Sequence, residues 1–448
     1  MKLYKFFFPA FLSFAIMAMV TSCVKMGPPG LNGDKGDTGA NGTDANETCK
    51  QCHNPAVVDQ KIVEFEFSKH SFGEAATSES GSAGCAPCHT HEGFQDVVKK
   101  NTSTVFVKDP VTLKYSNPYS ASVSADIGVL SCFTCHSQLH TTYAYGDFHP
   151  FTTTAGVPMT MWGGAKTINL TQDSAKSNLC IKCHQPRPFT SAIDGNVLNY
   201  AALVSAPTAV FYDATLPAAS IQIKPGYRTH THYGTVGAIY AGMGGIEFPG
   251  TLAYGSSIHT TKASCSDCHQ APMTNKAGGH TFVAKGNFNG CNTTNCHGAA
   301  PVSATDAAHW VNPRATILPL LNTLAGKLKV NGIEIMNKNP DSTTNLWYGI
   351  TPNNYDGYLN IYDPVNNPTG IANNTGTFQN PSPGTTTSST PWTLAQIALN
   401  LTLPKITLTN AQMGAIINFQ LCLREYSLGI HNRVYSQALL TNSIAILP

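Results

Sequence analysis

Charge is scarce in this chain. Asp, Glu, Lys and Arg make up 12% of 448 residues, and 27 basic side chains nearly match 25 acidic ones, for a formal net charge of +2. Such a balance offers neither the basic stripe of a nucleic-acid binder nor a charged disordered tail, so no nucleic-acid partner is expected. Long apolar runs are missing as well: beyond Val20 no stretch reaches the ~18 consecutive apolar residues of a spanning helix, which leaves lipid as the means of membrane attachment. Regular patterning is thin between residues 45 and 310, where Gly, Pro, Ser and Thr interrupt almost every ten residues. That segment is expected to have difficulty building an ordinary core, and the length allows two or three domains. What the chain does have in quantity is cysteine and histidine, 14 and 16 of them.

The N-terminus speaks to compartment. Lys2 and Lys5 precede an apolar run, Phe6–Val20, too short to span a bilayer but suited to a signal-peptide core. It ends in Val20-Thr21-Ser22-Cys23, which resembles the lipobox of bacterial lipoproteins, whose cysteine is acylated. Residues 1–22 are therefore expected to be a lipoprotein signal peptide, with lipidation at Cys23 and export to the outer membrane, on its periplasmic or cell-surface face. An ordinary secretory signal with Cys23 incidental is the plainer alternative. Glycine then recurs at positions 27, 30, 33, 36, 39 and 42, the period of a collagen triple helix. So few triplets read best as an extended tether over residues 23–45 that lifts the body off a membrane.

The remaining cysteines fall in pairs, each followed at once by histidine. Five pairs have the form C-x-x-C-H: Cys49/Cys52/His53, Cys85/Cys88/His89, Cys132/Cys135/His136, Cys180/Cys183/His184 and Cys265/Cys268/His269. A sixth, Cys291/Cys296/His297, has four intervening residues. Chance at this composition predicts roughly 0.02 copies of C-x-x-C-H, so the repeat calls for a chemical cause. Two thiols one short turn apart can each add across a haem vinyl group, and the adjacent histidine then reaches the iron as proximal ligand. Zinc ribbons and disulfides are the competing uses of paired cysteines. Neither needs a histidine after every second cysteine. The expectation is six covalently bound haem c, with Cys422 left over as a buried, inert thiol.

Distal ligands separate a carrier from an enzyme, since a haem with a protein ligand on both faces exchanges electrons and an open face admits substrate. Ten histidines remain for that role. The tracts CAPCHTHEGF, SNLCIKCHQPRP, HYGTVGAIYAGMGGIEFPG, YGSSIHTTKASCSDCH, GGHTF and SLGIHNRVYSQALL together resemble a family of bacterial multihaem (hexahaem) c-type cytochrome lipoproteins, over about residues 45–310 and again at 409–446. The resemblance implies distal roles for His70, His140, His232, His259, His280 and His431. His91, His149, His230 and His309 stand as substitutes, with His230 foremost because it lies one strand repeat from His232. Met273 is a remoter one.

The expected fold is mostly irregular with scattered α-helices, a multihaem cytochrome architecture organised around a chain of haems over residues 46–312, with a C-terminal helical region, 313–448, packed on it. Residues 345–391 read as a turn-rich surface loop. Thr409-Asn410-Ala411-Gln412 matches a capping box with apolar residues following at helical spacing, and a terminal helix is expected just after His431. Stability should depend heavily on cofactor insertion. The function expected is electron transfer without catalytic residues, between redox proteins of the envelope and an extracellular electron acceptor, with homopolymerisation left open. A multihaem oxidoreductase of the nitrite, hydroxylamine or sulfur-oxyanion type, with one open haem at 291–297, is the alternative. No C-x-x-C-K variant is present to support it.

Overall fold

The described cysteine motifs fold as tight turns, and three of them close in one way. His89, His136 and His184 each donate a backbone N–H to the carbonyl of their motif's first cysteine, at 3.1, 2.9 and 3.0 Å. The longer sixth motif closes on its first cysteine as well: the His297 N–H reaches the Cys291 carbonyl at 2.9 Å, and the two additional residues are taken up in a turn in which Thr293 O accepts from Cys296 and Gly298. Local sequence prepares some of these turns. Ser131 and Thr134 form a capping box around the Cys132 turn, and Ser264 and Asp267 do the same at Cys265. Each box satisfies backbone N–H groups that a helix of only one turn would leave open.

The structure, a computed structural model, describes residues 55–72, 85–99, 107–108, 115–116, 128–136, 151–189, 198–212, 225, 229–330, 333–338, 355–359 and 407–448. Cys23, Cys49, Cys52, His53, His140 and His149, with the signal and tether segments, lie outside them. The described helices are α1 (Pro55–Glu66), α2 (Ala86–His89), α3 (His91–Lys99), α4 (Cys132–Cys135), α5 (Ser177–Ile181), α6 (Tyr200–Ser205), α7 (Val236–Ala241), α8 (Ile258–Lys262), α9 (Cys265–His269), α10 (Asn312–Lys327), α11 (Asn410–Arg424) and α12 (Arg433–Ile446). The described strands are short and lie in antiparallel pairs. Among them Val210–Tyr212 pairs with Leu408–Thr409, and Met336–Lys338 with Tyr355–Leu359.

The C-terminal helices form where the sequence signals them. Thr409 Oγ1 accepts from the Gln412 N–H at 3.2 Å while Gln412 Oε1 accepts from the Thr409 N–H at 2.9 Å, which starts α11. Asn432 caps α12 through the Tyr435 N–H at 3.1 Å. Helix α11 is buried nearly all round, so its apolar and polar residues are both internal. Its polar members are paired: Asn418 bonds both backbone groups of Ile246, and Gln420 donates to Thr229 and Gly357 carbonyls.

Two expectations are corrected here. The segment before residue 310 does contribute to an ordinary core: Met161, Phe189, Leu203, Phe211, Ile239 and Phe248 pack in one cluster with Ile317, Leu321, Met413, Ile416, Phe419 and Leu440. Sparse periodicity hid them, because they sit singly on short elements that gather around α11. The expected surface loop at 345–391 likewise sends Tyr355–Leu359 inward as a strand, with Tyr355, Tyr358 and Leu359 buried. Their apolar bulk outweighs the turn-rich residues on either side.

Candidate metal centres

Each described motif brings its histidine opposite a second histidine from a distant part of the chain. Ring centroids are 6.2 Å apart for His89 and His232, 6.4 Å for His136 and His280, 6.1 Å for His184 and His70, 6.3 Å for His269 and His431, and 6.3 Å for His297 and His259. A metal–imidazole bond of about 2.0 Å, with about 1.1 Å from nitrogen to ring centre on each side, would set two ligands on opposite sides of one iron about 6.2 Å apart between centroids. The donor set therefore fits a haem with histidine on both faces. Five of the six expected distal histidines take part. His140, the sixth, lies outside the described residues, as does His53.

The substitutes are placed differently. His309 sits 4.5 Å from His297, too near for a metal between the rings, and its Nδ1 lies 3.0 Å from Asp306. His91 holds Thr134 Oγ1 at 2.9 Å and joins α3 to α4. Met273 is exposed. His230 lies beside His232, with its Nδ1 accepting from Arg424 at 2.8 Å and from the His232 N–H at 2.9 Å. Arginine and backbone N–H can only donate, so the proton of a neutral His230 ring rests on Nε2 and no lone pair is left there for iron. His230 thus braces His232, which adopts a left-handed φ of 81°. Arg424, fully buried, is held over the rings of Tyr233 and Tyr358 at 4.5 and 5.2 Å.

The ligand-type tautomer is built into several rings. Nδ1 of His259 faces the Ile430 carbonyl at 2.9 Å and Nδ1 of His269 the Phe282 carbonyl at 2.8 Å, so each carries its proton on Nδ1 and presents a bare Nε2. Burial also disfavours the imidazolium. It lowers the pKa of His70, His269, His280 and His297, and pushes His184 down to about 4 with neighbouring His70 and His269 adding to the effect. The neutral ring is the form that ligates metal.

The motifs also touch one another. Cys88 Sγ lies 3.9 Å from the Lys182 carbonyl, the Cys265 N–H donates to Ser177 Oγ at 3.0 Å, and Gly290, next to Cys291, packs on the backbone of Asp267 and Cys268. Motifs 85–89, 180–184, 265–269 and 291–297 consequently follow each other in space. Cys135 brings the 132–136 motif beside Cys180 and Cys183. Phe282 sits amid them, its ring 5.0 Å from His70 and 5.7 Å from His280. No disulfide joins the described cysteines, and among the described residues no three or more His, Cys, Asp or Glu side chains converge on one point. Cys422 is buried, with its thiol near the Ser436 carbonyl at 3.9 Å and its pKa raised by burial. No helix of the described residues is long and apolar enough to cross a membrane.

No family model, curated protein or solved structure matches the chain.

Proposed function

We propose that the chain is an exported, lipid-anchored hexahaem c-type cytochrome. It passes electrons along a row of bis-histidine haems, between redox proteins of the cell envelope and an extracellular acceptor. The observation that carries this reading is the pairing: every described motif histidine faces a second histidine at the spacing of two ligands on one iron. Haem c held at such a pair supplies a one-electron ferric/ferrous couple with no position open to substrate. In this reading Cys49, Cys52 and His53 hold the sixth haem, and Cys23 carries the lipid.

The chain's own residues hold and orient. Paired cysteines in closed turns fix the attachment points, while Ile430 and Phe282 carbonyls keep His259 and His269 in the ligating tautomer. Backbone and side-chain contacts between neighbouring motifs hold successive cysteine turns together. Two histidines per iron favour low potentials relative to His/Met ligation. The sixth motif, the first suspect for an open site, has His259 opposite His297, and this favours carriage over catalysis.

Pyridine haemochrome assay and intact mass of the mature protein test the reading. Six covalent haems are expected, all low-spin by magnetic resonance, with no spectral change on adding carbon monoxide, cyanide or nitrite. A high-spin haem that binds these ligands would replace the carrier with an oxidoreductase. Absence of covalent haem would end both.

A further inference from the structure

Resting on the haem reading, we propose that Glu425 is a positioning and tuning residue. Through His431 it lowers the reduction potential of the haem attached at 265–269.

Glu425 follows α11 directly and its side chain has no solvent exposure. Three donors converge on its carboxylate. Oε1 accepts from the Gly429 N–H at 3.0 Å, and Oε2 accepts from the Ser427 hydroxyl at 2.6 Å and from His431 Nδ1 at 2.5 Å. The connecting loop is bent around the carboxylate: Tyr426 and Leu428 hold φ of 63° and 55°, left-handed values that non-glycine residues adopt at a cost. Ser427 also accepts the His431 N–H at 3.0 Å, so ring and backbone of the histidine are fixed together.

A carboxylate on Nδ1 makes the imidazole a stronger donor at Nε2, and a stronger donor stabilises ferric over ferrous iron. His259, facing the neighbouring 291–297 motif, gives its Nδ1 proton to a neutral carbonyl, as does His269 on the other side of the same centre. The buried carboxylate of Glu64 is 3.6 Å from His280 Nδ1. It accepts the His280 backbone N–H instead, at 2.9 Å, and Lys61 lies 2.8 Å from both its oxygens. That lysine offsets the charge of Glu64 by direct contact, whereas the cation facing Glu425, Arg314, acts on it through space.

The test uses the full-length holoprotein, with haem content measured for each variant and potentials from redox titration followed by electron paramagnetic resonance. Glu425→Gln keeps an oxygen that can accept from Nδ1 but removes the charge. At fixed potential the reduced-to-oxidised ratio of one haem should rise about tenfold, equal to about 59 mV for a one-electron couple. Ser427→Ala removes the donor that competes for Oε2, so the same haem should shift the opposite way. Opposite shifts at one haem, with the others unmoved, cannot come from a purely structural role. Unchanged potentials at full haem content, or shifts of one sign in both variants, overturn the proposal. If Glu425→Gln does not accumulate, the sign of the Ser427→Ala shift decides alone. A wild-type protein without haem would instead sink the underlying reading.

Discussion

A histidine ligates through Nε2 only when that nitrogen has a lone pair to give, so the partner of Nδ1 decides its use. His230 and His232 sit two residues apart, and the sequence alone could not choose between them. Arg424 and the His232 N–H both donate to His230 Nδ1, which removes it as a ligand through Nε2. His232→Ala should open one face of the haem proposed at 85–89, so that dithionite-reduced protein binds one carbon monoxide per chain. His230→Asn, whose Oδ1 can accept where Nδ1 did, should bind none. Carbon monoxide binding by His230→Asn alone would reverse the assignment.

At the level of elements, glycine sets how closely a motif can be packed. The Gly237 N–H donates to the His184 carbonyl at 2.9 Å, joining the first turn of α7 to the 180–184 motif. A Cβ at Gly237 would lie 2.6 Å from that oxygen and 2.9 Å from Ile181 Cδ1. Gly237→Ala is expected to cost about 1–3 kcal/mol through overpacking. Its denaturation midpoint should fall below wild type, and an unchanged midpoint would show that α7 shifts freely. Thr409→Ala, which removes the cap of α11, should cost about 1 kcal/mol in the same assay. That capping box was legible in the sequence, as were the motif turns and the helix after His431, because their determinants lie within a few residues. The histidine pairs were not legible as pairs. His70 meets His184 and His89 meets His232 only after the intervening chain has folded, and no local pattern encodes such meetings. The buried strand at 355–359 was missed for a related reason: its apolar residues are few, and their partners are at 336–338 and along α11.

Across the whole molecule, apolar burial is unevenly distributed, and this sharpens the expected dependence on cofactor. The largest cluster joins residues between 161 and 248 to α10, α11 and α12. By contrast, the described residues of 55–136 bury few apolar side chains, among them Ala86, Phe94 and Val97, while Val58, Ile62, Val63, Phe67 and Phe133 are exposed. The apolar burial of these described residues does not offset about 1–2 kcal/mol of backbone entropy for each of them. Porphyrin faces are the apolar surface they lack in the proposed holoprotein. A full-length variant with all twelve haem cysteines changed to serine should therefore lose order unequally. Hydrogen exchange should be near the unprotected rate over residues 55–136, while amides of α11 and α12 keep measurable protection. Uniform loss of protection would mean that the haems also hold the C-terminal core together. Native-like protection at 55–136 would mean that no cofactor is needed there, which would count against the haem reading itself.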